Sequence, residues 1–358
     1  MATPVWKEPI RGGYPDISWL GLPGADRMGA EARLAIPRSP MHHLVGLRPL
    51  EAEPGRVAYE MSASPWFQTQ AGAFLGGISA VVADAPLGGA VFADLPPGAF
   101  PASSELSMSF LRPASPSSER LIARARLIDA GGRQGLSEAT VEDAKGRVIA
   151  HTTSRLFIRT VSPPPAPPTS IEPIEQPVYD TPDPWARPLP PELEPVAGTS
   201  EVGGLEALRA IIAADGYPGP FAHLFGMQLT EAEEGRIRFR VHTSEWLNSA
   251  ARAIYGGFLA LFVDAAMTFA ATTTVPAGGS CASLDLTMHF LRPGIADGRE
   301  LEAVGSVVHR GRRFAVTQGE VRNPDGKPVI MASGSSMVLP DRPWGSIVVA
   351  DESQPDED

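Results

Sequence analysis

Two carboxylates stand alone inside apolar stretches of this chain, each shortly after a pair of glycines. One is Asp264, in Tyr255-Gly256-Gly257-Phe258-Leu259-Ala260-Leu261-Phe262-Val263-Asp264-Ala265-Ala266. The other is Asp84, in Leu75-Gly76-Gly77-Ile78-Ser79-Ala80-Val81-Val82-Ala83-Asp84-Ala85-Pro86. A lone Asp in an apolar run of helical length is expensive to bury unless something pairs with it or uses it. Its recurrence at the same place in two copies marks it as the reactive group. A glycine pair at a helix start lets another group approach the free N–H groups at the positive end of the helix dipole. The chemistry on offer is that of a carboxylate beside an anion-holding helix end. The glycines also serve plain close packing, and the acid could be a structural one holding a neighbouring loop.

The elements that must position these groups are themselves duplicated. A constant offset of 180 relates Asp84 to Asp264, Gly76 to Gly256, Trp66 to Trp246 and Arg112 to Arg292. Phe110-Leu111-Arg112-Pro113 matches Phe290-Leu291-Arg292-Pro293, and the turn at Gly146 falls on Gly326. Two copies are too few for a solenoid and fit an internal pseudo-dimer closed within one chain.

In each copy, short alternating strands surround one helix. Arg56–Met61 places apolar residues at every second position, as a half-buried strand requires, and Leu106, Met108 and Phe110 do the same. Residues 36–160 and 204–340 read as the two domains, after an arm over 1–35, with a helical stretch near Asp26–Leu34, that is expected to lie on the first domain. Between them, 161–203 is dense in proline and reads as a stiff extended linker. The acidic stretch 341–358 reads as a solvated tail.

Composition bounds the function. The chain has 358 residues, 43% of them hydrophobic, a net charge of -11 and one cysteine, Cys281. The acidic balance excludes a typical nucleic-acid binder. A single cysteine excludes an internal disulfide and a cysteine-built metal site, and no metal or other cofactor is expected. No apolar run is long enough to span a membrane, and the N-terminus lacks a signal-peptide pattern. A cytoplasmic protein that touches neither membrane nor nucleic acid is expected.

The order of strand, glycine-pair helix with its Asp, and strands ending in Phe-Leu-Arg-Pro resembles the hotdog-fold acyl-CoA thioesterases. Around the helix the likeness is to the phenylacetic-acid-degradation type. Ala282-Ser283-Leu284-Asp285-Leu286-Thr287-Met288-His289-Phe290 is similar to the equivalent strand of thioesterase II, a double hotdog. The resemblance implies an α+β fold with two tandem antiparallel sheets, each wrapped around a long central helix and joined edge to edge. It implies hydrolysis of acyl-CoA or a related thioester, with Asp84 or Asp264 as general base or nucleophile. The carbonyl would be held at a helix N-terminus, by Gly77 or Gly257 as catalytic donors and with Gly76 and Gly256 beside the substrate. Ser103 and Ser283 match the family's hydroxyl on the following strand.

The family's sites lie between hotdogs, which implies Gly257 with Asp84 and Ser103, and Gly77 with Asp264 and Ser283. Thr287 stands near Asp264 in sequence as a further hydroxyl. Arg112 and Arg292 are candidates for the CoA phosphates, as are Arg310, Arg312 and Arg313. Leu75 and Tyr255 occupy the place where the family usually carries His and are candidates to line the substrate, with Tyr255 either a packing aromatic or a hydroxyl that aids Asp84 across the interface. Thr69 and Ser249 stand where it often has Asn, and Ser336 where thioesterase II has Gln. The alternative function is therefore a non-catalytic acyl-CoA or fatty-acyl binding protein with degenerate sites. A hydratase would need a His–Asp pair that these helices lack. Asp264 is expected to be the more productive acid, because Pro86 and Gly88-Gly89 loosen the helix of Asp84 and predict a kink there. Homo-oligomers of such double chains are compatible with this reading.

Overall fold

The structure, a computed structural model, describes residues 4–195 and 201–340. The expected acidic tail at 341–358 lies outside the described residues. The first half runs α1 (Gly24–Ala32), α2 (Pro40–Val45), β1 (Arg48–Glu53), β2 (Arg56–Ser62), α3 (Gly77–Phe92), β3 (Ala99–Phe110), β4 (Arg120–Gly131), β5 (Gln134–Asp143) and β6 (Val148–Thr160). The second half repeats it as α4 (Gly204–Ala214), α5 (Pro220–Phe225), β7 (Met227–Glu233), β8 (Arg236–His242), α6 (Gly256–Thr272), β9 (Ser280–Phe290), β10 (Glu300–Arg310), β11 (Phe314–Arg322) and β12 (Pro328–Leu339).

The strands form one sheet of 12, in the order β1-β2-β4-β5-β6-β3-β9-β12-β11-β10-β8-β7. Its midline is the antiparallel pair β3–β9, where Ser107 stands opposite Thr287 and each strand meets its own repeat. Joining there removes two strand edges that would otherwise be open to other chains. Alternation sends Leu106, Met108, Leu286 and Met288 inward, all buried, toward the two long helices.

Those helices are almost wholly apolar and buried, so the sheet wraps them rather than covering one face. Phe258, Leu261 and Phe262 of α6 are fully enclosed, as are Val81 and Val82 of α3. Each large side chain so buried contributes about 1.5–3 kcal/mol of transfer free energy. The helices also touch each other at their N-termini. A Cβ on Gly77 would stand 2.6 Å from the Leu261 Cα, and one on Gly257 would stand 2.7 Å from the Ala80 carbonyl. Glycine is required there because backbone meets backbone. α3 continues through Pro86 to Phe92 rather than ending at it.

The repeat reaches further toward the N-terminus than its gap-free part. Gly24 at the start of α1 donates to the Leu95 carbonyl at 2.9 Å, and Gly204 at the start of α4 donates to Val275 at 3.0 Å. Ahead of these helices, two short turns, Val5–Lys7 and Pro184–Ala186, act as exchanged straps. Trp6 packs over Gly226 of the second half, stacked on His242, and Trp185 packs over Gly46 of the first half. Trp246 Nε1 donates to the Glu8 carbonyl at 3.0 Å, and Trp66 Nε1 donates to the Arg187 carbonyl at 2.9 Å. Arg187 then joins the two straps through paired bonds to the Glu8 carboxylate, both 2.7 Å.

The beginning of the arm thus lies on the second half, not on the first as expected. The proline-rich linker is docked where it passes Trp185. Separating the halves would expose the β9 edge and the apolar face of α6. We predict that residues 201–358 alone will self-associate or precipitate; a monodisperse monomer by size exclusion with light scattering would contradict this architecture.

Candidate active site

Each Asp side chain crosses from its own helix to the N-terminus of the other. The Gly77 N–H donates to Asp264 Oδ2 at 2.8 Å, and the Gly257 N–H donates to Asp84 Oδ2 at 3.0 Å. The cross-pairing of glycine and acid expected from the resemblance is therefore present in both directions. A helix N-terminus favours a negative charge, and an amide bonded to a carboxylate is stronger than a neutral hydrogen bond. Burial works against the charge. It raises both carboxyls to about 6, opposed at Asp264 by the Gly77 amide and the Ser283 and Thr268 hydroxyls, and at Asp84 by the Gly257 and Gly256 amides.

The surroundings of the two acids then differ. Asp264 is 2% exposed. Its Oδ1 accepts from Ser283 Oγ at 3.0 Å, and Thr268 Oγ1 donates in turn to Ser283 Oγ at 2.6 Å, itself 3.4 Å from Oδ1. Beyond them opens a cavity of about 200 Å³ between the halves. Phe74, Leu75, Gly76 and Phe110 line it from the first half, facing Thr268 and Ser283 from the second. The Phe110 ring lies against Gly76. Among the described residues the Gly76 amide has no hydrogen-bond partner. The site thus offers an acid behind two hydroxyls, and an open donor at the start of α3.

Asp84 keeps more accessible surface but has no such hydroxyls. Gly88 occupies the place of Thr268, so nothing bridges Ser103 to the carboxylate, and among the described residues Asp84 takes no hydroxyl. Tyr255 stands where the other half has Leu75, and both are buried. Its hydroxyl donates to the Val81 carbonyl at 3.0 Å and accepts from the Ala85 N–H at 2.8 Å. In an unbroken helix those two backbone groups would bond each other. The hydroxyl has entered the ladder one residue before Pro86, which has no N–H to give.

Thr287 is not beside Asp264. The register of β9 on β12 slips between Asp285 and Ser283, which turns Ser283 toward the helix and leaves Thr287 on the outer face. There Thr287 Oγ1 shares a 3.0 Å bond with Ser107. Arg112 lines the cavity, but its Nη1 donates to the Val148 carbonyl at 2.8 Å, and Arg292 donates likewise to Pro328. Arg310 donates to Thr274 at 2.9 Å, while Arg312 and Arg313 are exposed. Ser336 pairs with Ser283 in register. The Cys281 thiol is pushed up to about 12 by burial and is unsuited to nucleophilic work. Thr268 was not singled out from the sequence. Its signal was a hydroxyl four residues after the Asp, on the same helix face.

Comparison with known proteins follows this geometry. The model of the thioesterase superfamily matches the chain twice, over residues 71–150 and 252–330. None of the curated proteins matches it. Among solved structures, a candidate thioesterase from Novosphingobium aromaticivorans superposes with a TM-score of 0.52 at 15% identity, covering 81% of this chain and 98% of its own. The tesB protein of Mycobacterium avium subspecies paratuberculosis gives 0.50 at 16%, covering 82% and 96%. A candidate thioesterase II from Thermobifida fusca gives 0.50 at 17%, covering 85% and 98%. At these identities the likeness is one of fold, and the fold is a tandem hotdog of the α+β class.

The Tyr255 insertion makes a measurable demand on stability. Removing its hydroxyl leaves the Ala85 N–H and the Val81 carbonyl to re-form a direct bond or stay unpaired. We predict that Tyr255→Phe lowers the unfolding free energy by about 1–3 kcal/mol, the usual cost of a buried unpaired polar group. Urea denaturation checks it, and an unchanged midpoint would mean that α3 closes by itself.

Proposed function

We propose that this chain hydrolyses acyl-CoA or a related thioester at Asp264, because the thioesterase superfamily model matches a segment in each half. The observation that carries the reading is the set of Asp264, Ser283 and Thr268 beneath a cavity whose wall includes the unpartnered Gly76 amide. A thioester carbonyl oxygen placed on that amide would meet the positive end of α3, a helix of 16 residues. Donors of this kind are typically worth ~10²–10³ in rate. In this reading Gly76 is the donor, because the Gly77 N–H is already held by Asp264.

Water bound by Ser283 and Thr268 attacks the carbonyl carbon, and its proton passes to Asp264 directly or through a hydroxyl. Collapse of the tetrahedral intermediate breaks the carbon–sulfur bond, and Asp264 returns the proton to the departing thiolate. Attack by Asp264 itself is less well supported. Both of its oxygens are engaged, and two hydroxyls separate it from the cavity. Arg112 at the cavity wall is placed to meet an anionic carrier group by its exposed edge. The domain limits 36–160 and 204–340 and a cytoplasmic setting belong to the same proposal.

Thiol release from a panel of acyl-CoAs tests the activity, and binding without release would favour the acyl-binding alternative. On the best substrate, Asp264→Asn should cost ~10²–10⁴-fold in kcat, the usual loss of a general base. Asp84→Asn should leave most of the rate; equal losses would mean two equivalent sites.

The pH profile gives an independent reading. The base works only when ionised, and burial sets Asp264 at about 6. We expect kcat/KM to rise with pH up to about 6 and to level off above it. A profile falling through that range would assign the working form to the protonated acid.

A further inference from the structure

The two half-sites share a backbone plan and the serine on the following strand, yet three features that equip Asp264 for a ligand are altered around Asp84. The amide at the helix start is the first difference. At the Asp264 side Gly76 lines a cavity with a free N–H, whereas at the Asp84 side the carboxylate lies directly over Gly256, within about 3 Å of where a Cβ would stand. The hydroxyl pair is the second, since Gly88 replaces Thr268. The third is Tyr255. Its ring folds back over Gly257, where a Cβ would meet Tyr255 Cε1 at 2.7 Å, and its hydroxyl is fixed between Val81 and Ala85 on either side of the Asp84 turn. Leu75, its repeat partner, lines the open cavity.

The loop leading into Tyr255 is pinned as well. Tyr14 of the N-terminal arm donates to Glu245 at 2.8 Å and accepts from Asn248 at 3.0 Å, and the Arg252 guanidinium stacks over its ring. Arg252 itself is held at a positive φ of 58°, a conformation that side chains rarely adopt. The corresponding loop of the open site has Gly72 there, and glycine adopts that conformation without strain.

We infer that the chain binds one thioester rather than two, and that Tyr255 is the residue that closes the Asp84 half-site. A ligand entering there would have to displace the ring and strip two buried backbone groups of their partner. Such groups are costly to leave unmade. Tyr255 is thus a positioning residue, holding α3 in its closed form across the interface. The inference rests on the thioester reading of the cavity beside Asp264.

The test is isothermal titration of the full chain with S-hexyl-CoA, a thioether that cannot be hydrolysed. The wild type should bind one equivalent. Tyr255→Leu installs the residue found at the open site and removes the ring and hydroxyl that hold the Asp84 turn, so it should bind two. Asp84→Asn should bind one equivalent with the wild-type Kd, and this variant keeps the test decisive if Tyr255→Leu fails to fold. Two equivalents on the wild type, a single equivalent on folded Tyr255→Leu, or weakened binding by Asp84→Asn would each overturn the inference. Zero equivalents on the wild type would refute the thioester reading itself and this inference with it.

Discussion

The structure depends on a reciprocal bond: each half places a carboxylate on the helix N-terminus of the other. The bond explains why the two long helices must meet end against flank, and why residues 77 and 257 have to be glycine. It also explains why an acid can be kept in an otherwise apolar helix. An amide donor and the helix dipole lower the cost of the charge, while burial keeps the pKa high. A carboxyl held near 6 can both accept a proton from water and return it near neutral pH. The interaction that joins the halves is therefore also the one that prepares the acid.

Duplication within one chain frees the two copies to diverge while the frame stays common. The divergence reaches the surroundings of the acids, while the strand order stays common. In the cluster that includes Tyr255 the first half carries polar residues where the second is apolar: Glu31 against Ile211, His42 against Ala222, and Tyr59 against Phe239. Glu31 and Tyr59 interact in the interior, and burial pushes Tyr59 upward and His42 down to about 3, so the histidine is neutral there. The second half is apolar at those three positions and keeps the hydroxyl pair beside Asp264. The frame is held by the exchanged straps, which tie Glu8 to Arg187 and place a tryptophan over each half.

Much of this was legible from residues alone, because the signals were periodic. The constant offset gave the two halves, and strand alternation gave the inward faces. The isolated acids with their glycine pairs marked the site, and the resemblance to the hotdog thioesterases implied their cross-pairing. What was hidden depended on breaks in period. A slip in β9 turned Ser283 inward although Thr287, four residues on, faces outward, which counting by two does not reveal. The straps escaped notice because their offset differs by one from that of the repeat: Trp6 plays for one half the part of Trp185 for the other. Tyr255 looked like a packing aromatic. Its hydroxyl became meaningful only when the opposite helix was seen to open around it. Thr268 could have been found by following the face of α6 one turn beyond Asp264.

The central claim is a location: the thioester carbonyl sits between the start of α3 and the acid of α6. A crystal structure with an acyl-CoA analogue whose thioester sulfur is replaced by a methylene group, keeping the carbonyl, tests it most directly. The account predicts the carbonyl oxygen on the Gly76 amide and the carbonyl carbon beside Ser283 and Asp264. A carbonyl bound at Gly256 and Asp84, or anywhere outside the cavity between the halves, would contradict it.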